Sequence, residues 1–333
     1  MNALATGRIA AERASADSQR NGVTMRAIQR PKRRLGWRAT AIMAAILAIA
    51  ATGIAVPGQA FAAPGAPAGG PTPPPGGHCS QVDIIGARGS GQAFDTSGPF
   101  KGYGPEVYKA ITIIEGDLHA KHVSYGAEPV NYPALSTSIL NPPWYDFVDW
   151  PDYENNHLGR FMAGIATGVN QTVNYAKWAQ QTCHNSKIIL VGYSQGAMVV
   201  HQAELQLKTK DRAAFNLIIG TVLVADGNRH GNTKAKEFGS SPADGSGIET
   251  WFANTLNHFT AFPDVPVPGT TANICNNNDL VCDTSLWALK NFGTSGKVHT
   301  TSYANCNSKS QCSYGAALIS GASWVGKVAA SKA

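Results

Sequence analysis

Lys187–Gly196 reads KIILVGYSQG and decides the fold. After Lys187 the run is apolar without alternation, short enough for a strand, and shows no solvent-facing side. A strand buried on both faces belongs at the centre of a parallel sheet covered by helices. Gly192-Tyr193-Ser194-Gln195-Gly196 fits G-x-S-x-G, and helical spacing follows from Gly196 to Lys208. The pattern gains meaning in this strand–turn–helix setting, because the glycines permit a turn tight enough to lift the serine out at the strand's C-terminal end. The following helix aims its N-terminus at that serine, which suits a nucleophile whose transition state carries a developing oxyanion. Ser194 is therefore the candidate nucleophile; the bland alternative is an ordinary tight turn.

The same reading extends outward. Gln81–Ala87 is a short apolar strand, and Gly104–Leu118 has helical spacing with Val107, Ile111 and Ile114 on one side. Val123–Tyr132 reads as a strand, Leu158–Thr182 as a long helix free of proline, Leu217–Ala225 as another buried strand, and Ser313–Ala330 as a final helix. Alternating strands and helices predict an α/β fold, a three-layer sandwich around a mostly parallel central sheet. With no second linker and no repeat, residues 79–333 are expected to form one domain.

The chain of 333 residues carries a formal net charge of +6, but the charge is divided. Residues 1–38 hold nine Lys and Arg against two Asp and Glu, whereas from Ala63 onward there are 18 against 19. A folded part without basic excess has little to pair with phosphates, which argues against nucleic-acid binding. Arg30–Arg38 (RPKRRLGWR), the apolar run Ala39–Val56 and the small-residue site Ala60-Phe61-Ala62 together read as a secretory signal peptide, so residues 1–62 are expected to be a leader, with Met25 an alternative start. Beyond it no apolar run reaches the ~18 residues of a membrane span. Residues 63–78, opening APGAPAGGPTPPPGG, form a Pro/Gly tether that cannot build a core. The expected location is extracellular. All six cysteines (Cys79, Cys183, Cys275, Cys282, Cys306 and Cys312) follow the leader, and an even count in an exported chain predicts three disulfides. Their spacing lacks the paired short gaps of a zinc site, so no metal is expected.

A serine hydroxyl needs a base. In this setting the partners follow in the order Ser, Asp or Glu, His. The histidines beyond Ser194 are His201, His230, His258 and His299, and the candidate acids are Asp264, Asp279 and Asp283. His201 lies two turns into the helix after the nucleophile and reads as a packing or surface residue; order alone leaves the rest open.

Four segments resemble the cutinase family: Cys79-Ser80-Gln81-Val82, Gly86–Gly91 (GARGSG), the GYSQG turn, and Cys275–Cys282 (CNNNDLVC), which looks like that family's D-L-V-C loop. The resemblance runs over Cys79 to about Asp226 and Asn273 to Tyr303. It implies Asp279 as the catalytic acid and His299 as the base, 20 positions further on, with an extended loop between them. It implies oxyanion donors from Ser90 (backbone N–H and hydroxyl) and the Gln195 backbone N–H, and disulfides Cys79–Cys183 and Cys275–Cys282, leaving Cys306 to Cys312. It further implies ester hydrolysis through an acyl-enzyme, without cofactor, on cutin-like polyesters, acylglycerols or short-chain esters. Acetylxylan and envelope lipids are alternative substrates, and an inactive hydrolase scaffold serving as a secreted binding protein is the competing class. A monomer is expected. The chain departs from small cutinases at 141–160, an aromatic and acidic insertion read as a cleft flap or a packed surface loop, and at 228–268.

Overall fold

In the computed structural model the described residues are 79–136, 157–183, 186–256 and 261–333. The expected leader (1–62), the tether (63–78), most of the 141–160 insertion and His258 lie outside them. In chain order the elements are β1 (Val82–Ala87), α1 (Gly104–His119), β2 (Tyr125–Pro129), α2 (His157–Thr182), β3 (Lys187–Tyr193), α3 (Gln195–Lys210), α4 (Arg212–Phe215), β4 (Ile218–Val224), β5 (Lys236–Phe238), α5 (Ile248–Leu256), β6 (Thr271–Ile274), α6 (Leu286–Lys290), α7 (Phe292–Thr301), β7 (Ala304–Cys306), β8 (Cys312–Tyr314) and α8 (Ala316–Ala330).

Six strands form one sheet in the order β2-β1-β3-β4-β6-β5, and every neighbouring pair is parallel. The apolar run of β3 sits inside this sheet, as its lack of alternation requires. Its side chains divide between two cores by the two-residue period of a strand. Ile189, Val191 and Tyr193 face the layer of α1 and α8, where Val107, Ile114, Leu318 and Val325 are buried. Ile188 and Leu190 face the layer of α2 and α3, with Ile165, Val173, Val199 and Leu207. The result is the expected three-layer α/β sandwich.

Where the elements differ from their sequence reading, the causes are local. The strand expected over Val123–Tyr132 shrinks to Tyr125–Pro129, because the Val123 N–H closes the turn after α1 on Leu118 O at 3.1 Å and β2 is an edge strand. The last helix starts at Ala316 rather than Ser313, because Cys312–Tyr314 pairs antiparallel with β7. β5 and β6 have three and four residues, too few for a periodic pattern to show. Three disulfides join Cys79 to Cys183, Cys275 to Cys282 and Cys306 to Cys312.

Candidate active site

The turn between β3 and α3 forces Ser194 to φ 54° and ψ −119°. That region disfavours any residue with a Cβ and costs of order 1–3 kcal/mol, so the surrounding structure must hold it. Both flanking glycines are required by close approach: a Cβ on Gly192 would lie 2.3 Å from Gly196 O, and one on Gly196 only 2.0 Å from Ala87 O. Ser194 N donates to Val224 O at 2.8 Å, pinning the turn to the end of β4. The 16-residue helix α3 begins at the next residue, so the positive end of its dipole lies at Ser194.

The sheet brings two distant segments to this point. His299, in the last turns of α7, places Nε2 2.9 Å from Ser194 Oγ. Its Nδ1 lies 3.0 and 3.1 Å from Asp279 Oδ1 and Oδ2. Asp279 follows β6 inside the Cys275–Cys282 loop and is fully buried. Oδ1 accepts the N–H groups of Val281 (2.7 Å) and Cys282 (3.3 Å), and Oδ2 accepts the Tyr303 hydroxyl at 2.8 Å. Burial by itself would raise this carboxyl; the facing imidazole and these donors outweigh it and hold the carboxyl below its ordinary range. Among the described candidates, these are the imidazole and the carboxyl found at the serine. Asp264 instead accepts the Thr233 hydroxyl, and Asp283 accepts the Asn278 N–H.

The profile of the cutinase family matches residues 78–311. The chain belongs to the cutinase family. A cutinase of Hypocrea jecorina (strain QM6a) is 42% identical over 67 residues, 20% of this chain and 25% of the relative. Cutinase CUT1 of Coprinopsis cinerea is 28% identical over 86 residues, 26% of this chain and 42% of the relative. The match thus spans well under half the length of these curated cutinases. Among solved structures, the catalytic core domain of acetyl xylan esterase from Trichoderma reesei is similar at a TM-score of 0.42 and 17% identity, covering 65% of this chain and 93% of that one. A cutinase-like protein from Cryptococcus sp. gives 0.42 and 19%, covering 68% and 97%.

The cutinase-like A-R-G-S turn lies against the Ser194 turn, since Gly196 backs directly onto Ala87 and Arg88. Arg88 ties this segment down: its guanidinium donates to the carbonyls of Gln92 (2.8 Å), Val130 (3.1 Å) and Tyr132 (2.5 Å). The Ser90 hydroxyl donates to Leu135 O at 2.5 Å, so its proton is committed to a backbone carbonyl. Gln195 opens α3, where a backbone N–H has no intrahelical acceptor; its side chain reaches away, to Phe161 O at 3.3 Å.

Some neighbours of the site carried no sequence signal. Tyr193 stacks on the His299 ring (centroids 5.4 Å apart, 18° between planes) and donates its hydroxyl to His299 O at 2.8 Å. Tyr303, on the far side of Asp279, also accepts the Asn276 N–H at 3.0 Å. Both phenols are pushed well above the ordinary tyrosine range, first by burial and then by nearby carboxylates, and so stay neutral donors. The loop expected to carry His299 is instead the helix pair α6–α7, with Ser285 capping α6 through Ala288 N. His201 forms a second buried His–Asp pair: Nδ1 lies 2.7 Å from Asp226 Oδ2 and Nε2 3.0 Å from Pro263 O. Both ring nitrogens are thus engaged, one by a carboxyl oxygen and one by a backbone carbonyl, and neither is free to act as a base. Among the described residues no group of His, Cys, Asp and Glu could hold a metal ion, and no helix is long and apolar enough to cross a membrane.

Proposed function

We propose that this chain is an exported serine hydrolase of carboxylic esters, working through an acyl-enzyme. The observation that carries the reading is the line Ser194 Oγ–His299 Nε2, His299 Nδ1–Asp279, with both gaps at hydrogen-bond length. His299 takes the proton of Ser194 as the hydroxyl attacks the ester carbonyl. Asp279 holds the imidazole in the tautomer with its proton on Nδ1 and stabilises the imidazolium that forms. The Gln195 N–H at the start of α3, and the donors of Ser90 on the adjoining turn, receive the oxyanion. The Ser90 hydroxyl serves only if it turns from Leu135 O. The alcohol departs with the proton from His299, and water then attacks the acyl-enzyme with His299 again as base. These steps call on no cofactor.

Carboxylic esters of acyl chains are the proposed substrates, from short-chain esters to acylglycerols and cutin-like polyester. The paired cysteines support an oxidising, extracellular setting. The test is hydrolysis of p-nitrophenyl esters from acetate to long acyl chains, with acetylated xylan and a polyester film alongside. Ser194→Ala should lose at least ~10³ of kcat. Equal and negligible turnover by both proteins would point to the binding-protein reading.

A further inference from the structure

Behind the A-R-G-S turn, α1 begins with a buried acid. Glu106, in the first turn of that helix, is 3% exposed, and its partner is a neutral amide: Gln92 Nε2 donates to Glu106 Oε2 at 2.7 Å. The other end of the same amide faces the turn, where Gln92 Oε1 accepts the Gly89 N–H at 2.8 Å. Gln92 N closes back on Gly89 O at 3.2 Å, so residues 89–92 are tied into one unit. The amide fits only because residue 104 is glycine. Its φ is +73°, and a Cβ there would lie 2.0 Å from Gln92 Oε1. A carboxyl, an amide and a glycine therefore meet to fix one backbone N–H, next to the residue proposed to supply oxyanion donors. Burial pushes the Glu106 carboxyl up to about 7, with Gln92 and His299 opposing. An acid so perturbed near a candidate site is a functional candidate when geometry supports it.

We propose that Glu106 is a positioning residue for ester hydrolysis, acting through the Gln92 side chain to hold Gly89 and the Ser90 turn in place for the oxyanion. This rests on the serine-hydrolase reading. Oxyanion contacts strengthen as charge develops, so loosening them lowers kcat and leaves KM nearly unchanged.

The experiment compares kcat, KM and melting temperature for wild type, Glu106→Leu, Glu106→Gln, Gln92→Met and the double variant Glu106→Leu/Gln92→Met on a short p-nitrophenyl ester, with Ser194→Ala in parallel. Removing a whole oxyanion donor costs about 10²–10³ in kcat, so loosening the turn should cost about 10- to 100-fold in Glu106→Leu. Glu106→Gln retains an acceptor for Gln92 Nε2 and should recover to within about threefold of wild type. Because Glu106 acts through Gln92, the double variant should be no slower than Gln92→Met. Wild-type kcat in Glu106→Leu, a loss confined to KM, or no recovery in Glu106→Gln would overturn the proposal. If Glu106→Leu does not fold, Gln92→Met decides: unchanged kcat there overturns it. Full activity in Ser194→Ala would instead overturn the serine-hydrolase reading, a result separable from the others.

Discussion

Tyr303 donates its hydroxyl to Asp279 Oδ2 while the Val281 N–H occupies Oδ1, so the carboxylate that faces His299 is gripped from both sides by neutral donors. A buried carboxylate depends on such donors, because the charge has left water behind. Tyr303→Phe removes one of them and keeps the ring against Tyr193. It should lower unfolding stability by about 1–3 kcal/mol at pH 7 and kcat by about tenfold, read by chemical denaturation and ester turnover.

The two neighbouring acids of the Cys275–Cys282 region should separate cleanly. Asp279→Asn puts an amide opposite His299 Nδ1 and favours the wrong tautomer, so kcat should fall by about 10⁴ with the fold retained. Asp283 holds the Asn278 N–H at 2.7 Å and makes its contact away from the imidazole. Asp283→Asn should cost stability with a loss of kcat below about tenfold. A reversal of this order in ester assays would reassign the acid.

Stability should fall from mildly acidic to alkaline pH. Glu204 is fully buried, donates nothing in its ionised form, and accepts the Thr221 hydroxyl at 2.5 Å; burial pushes it up to about 7. A carboxyl raised in the folded state contributes stability below its unfolded value near 4.5, and loses it as pH climbs through about 7. Glu106 has the same sign, and so does His201, which is lowered by burial but raised further by Asp226. Asp279 has the opposite sign: its depressed value supports the fold above about 3.8, and that support disappears in stronger acid. Denaturation at pH 5 and pH 8 should show a drop that shrinks by about 2–3 kcal/mol in Glu204→Gln.

Two glycines should respond in opposite directions to alanine. Gly196→Ala drives a Cβ into Ala87 O and should cost more than ~3 kcal/mol or prevent folding. Gly116 lies in α1 with nothing within 4 Å of a built Cβ. Gly116→Ala should therefore add about 0.5–1 kcal/mol, through the higher helix propensity of alanine. Thermal melts of the two variants check both.

Much of the layout was legible before any coordinates. The apolar run after Lys187 read as a buried strand, and that strand proved to be inside an all-parallel six-stranded sheet. The turn after it could be read because G-x-S-x-G stands between a strand and a helix, although only Gly192 answers to a clash within the turn itself, whereas Gly196 answers to the distant Ala87 carbonyl. β5, β6 and the hairpin of β7 and β8 were not legible, since three or four residues display no period and are set by their neighbours.

Local sequence by itself determined the elements whose cause is local: the apolar strands, the helices with their 3.6-residue spacing, the turn at Ser194 and the even set of half-cystines. Local pattern left the imidazole and the carboxyl open; the family resemblance pointed to His299 and Asp279, and the tertiary structure stands those two beside that serine. The 105 residues separating Ser194 from His299 are brought together by the parallel sheet order, which no local pattern encodes. It likewise sent His201 to Asp226, and set Glu106, Gln92 and Gly89 in line. Side chains far apart in sequence acquire partners only once packing has excluded the water that would otherwise satisfy them.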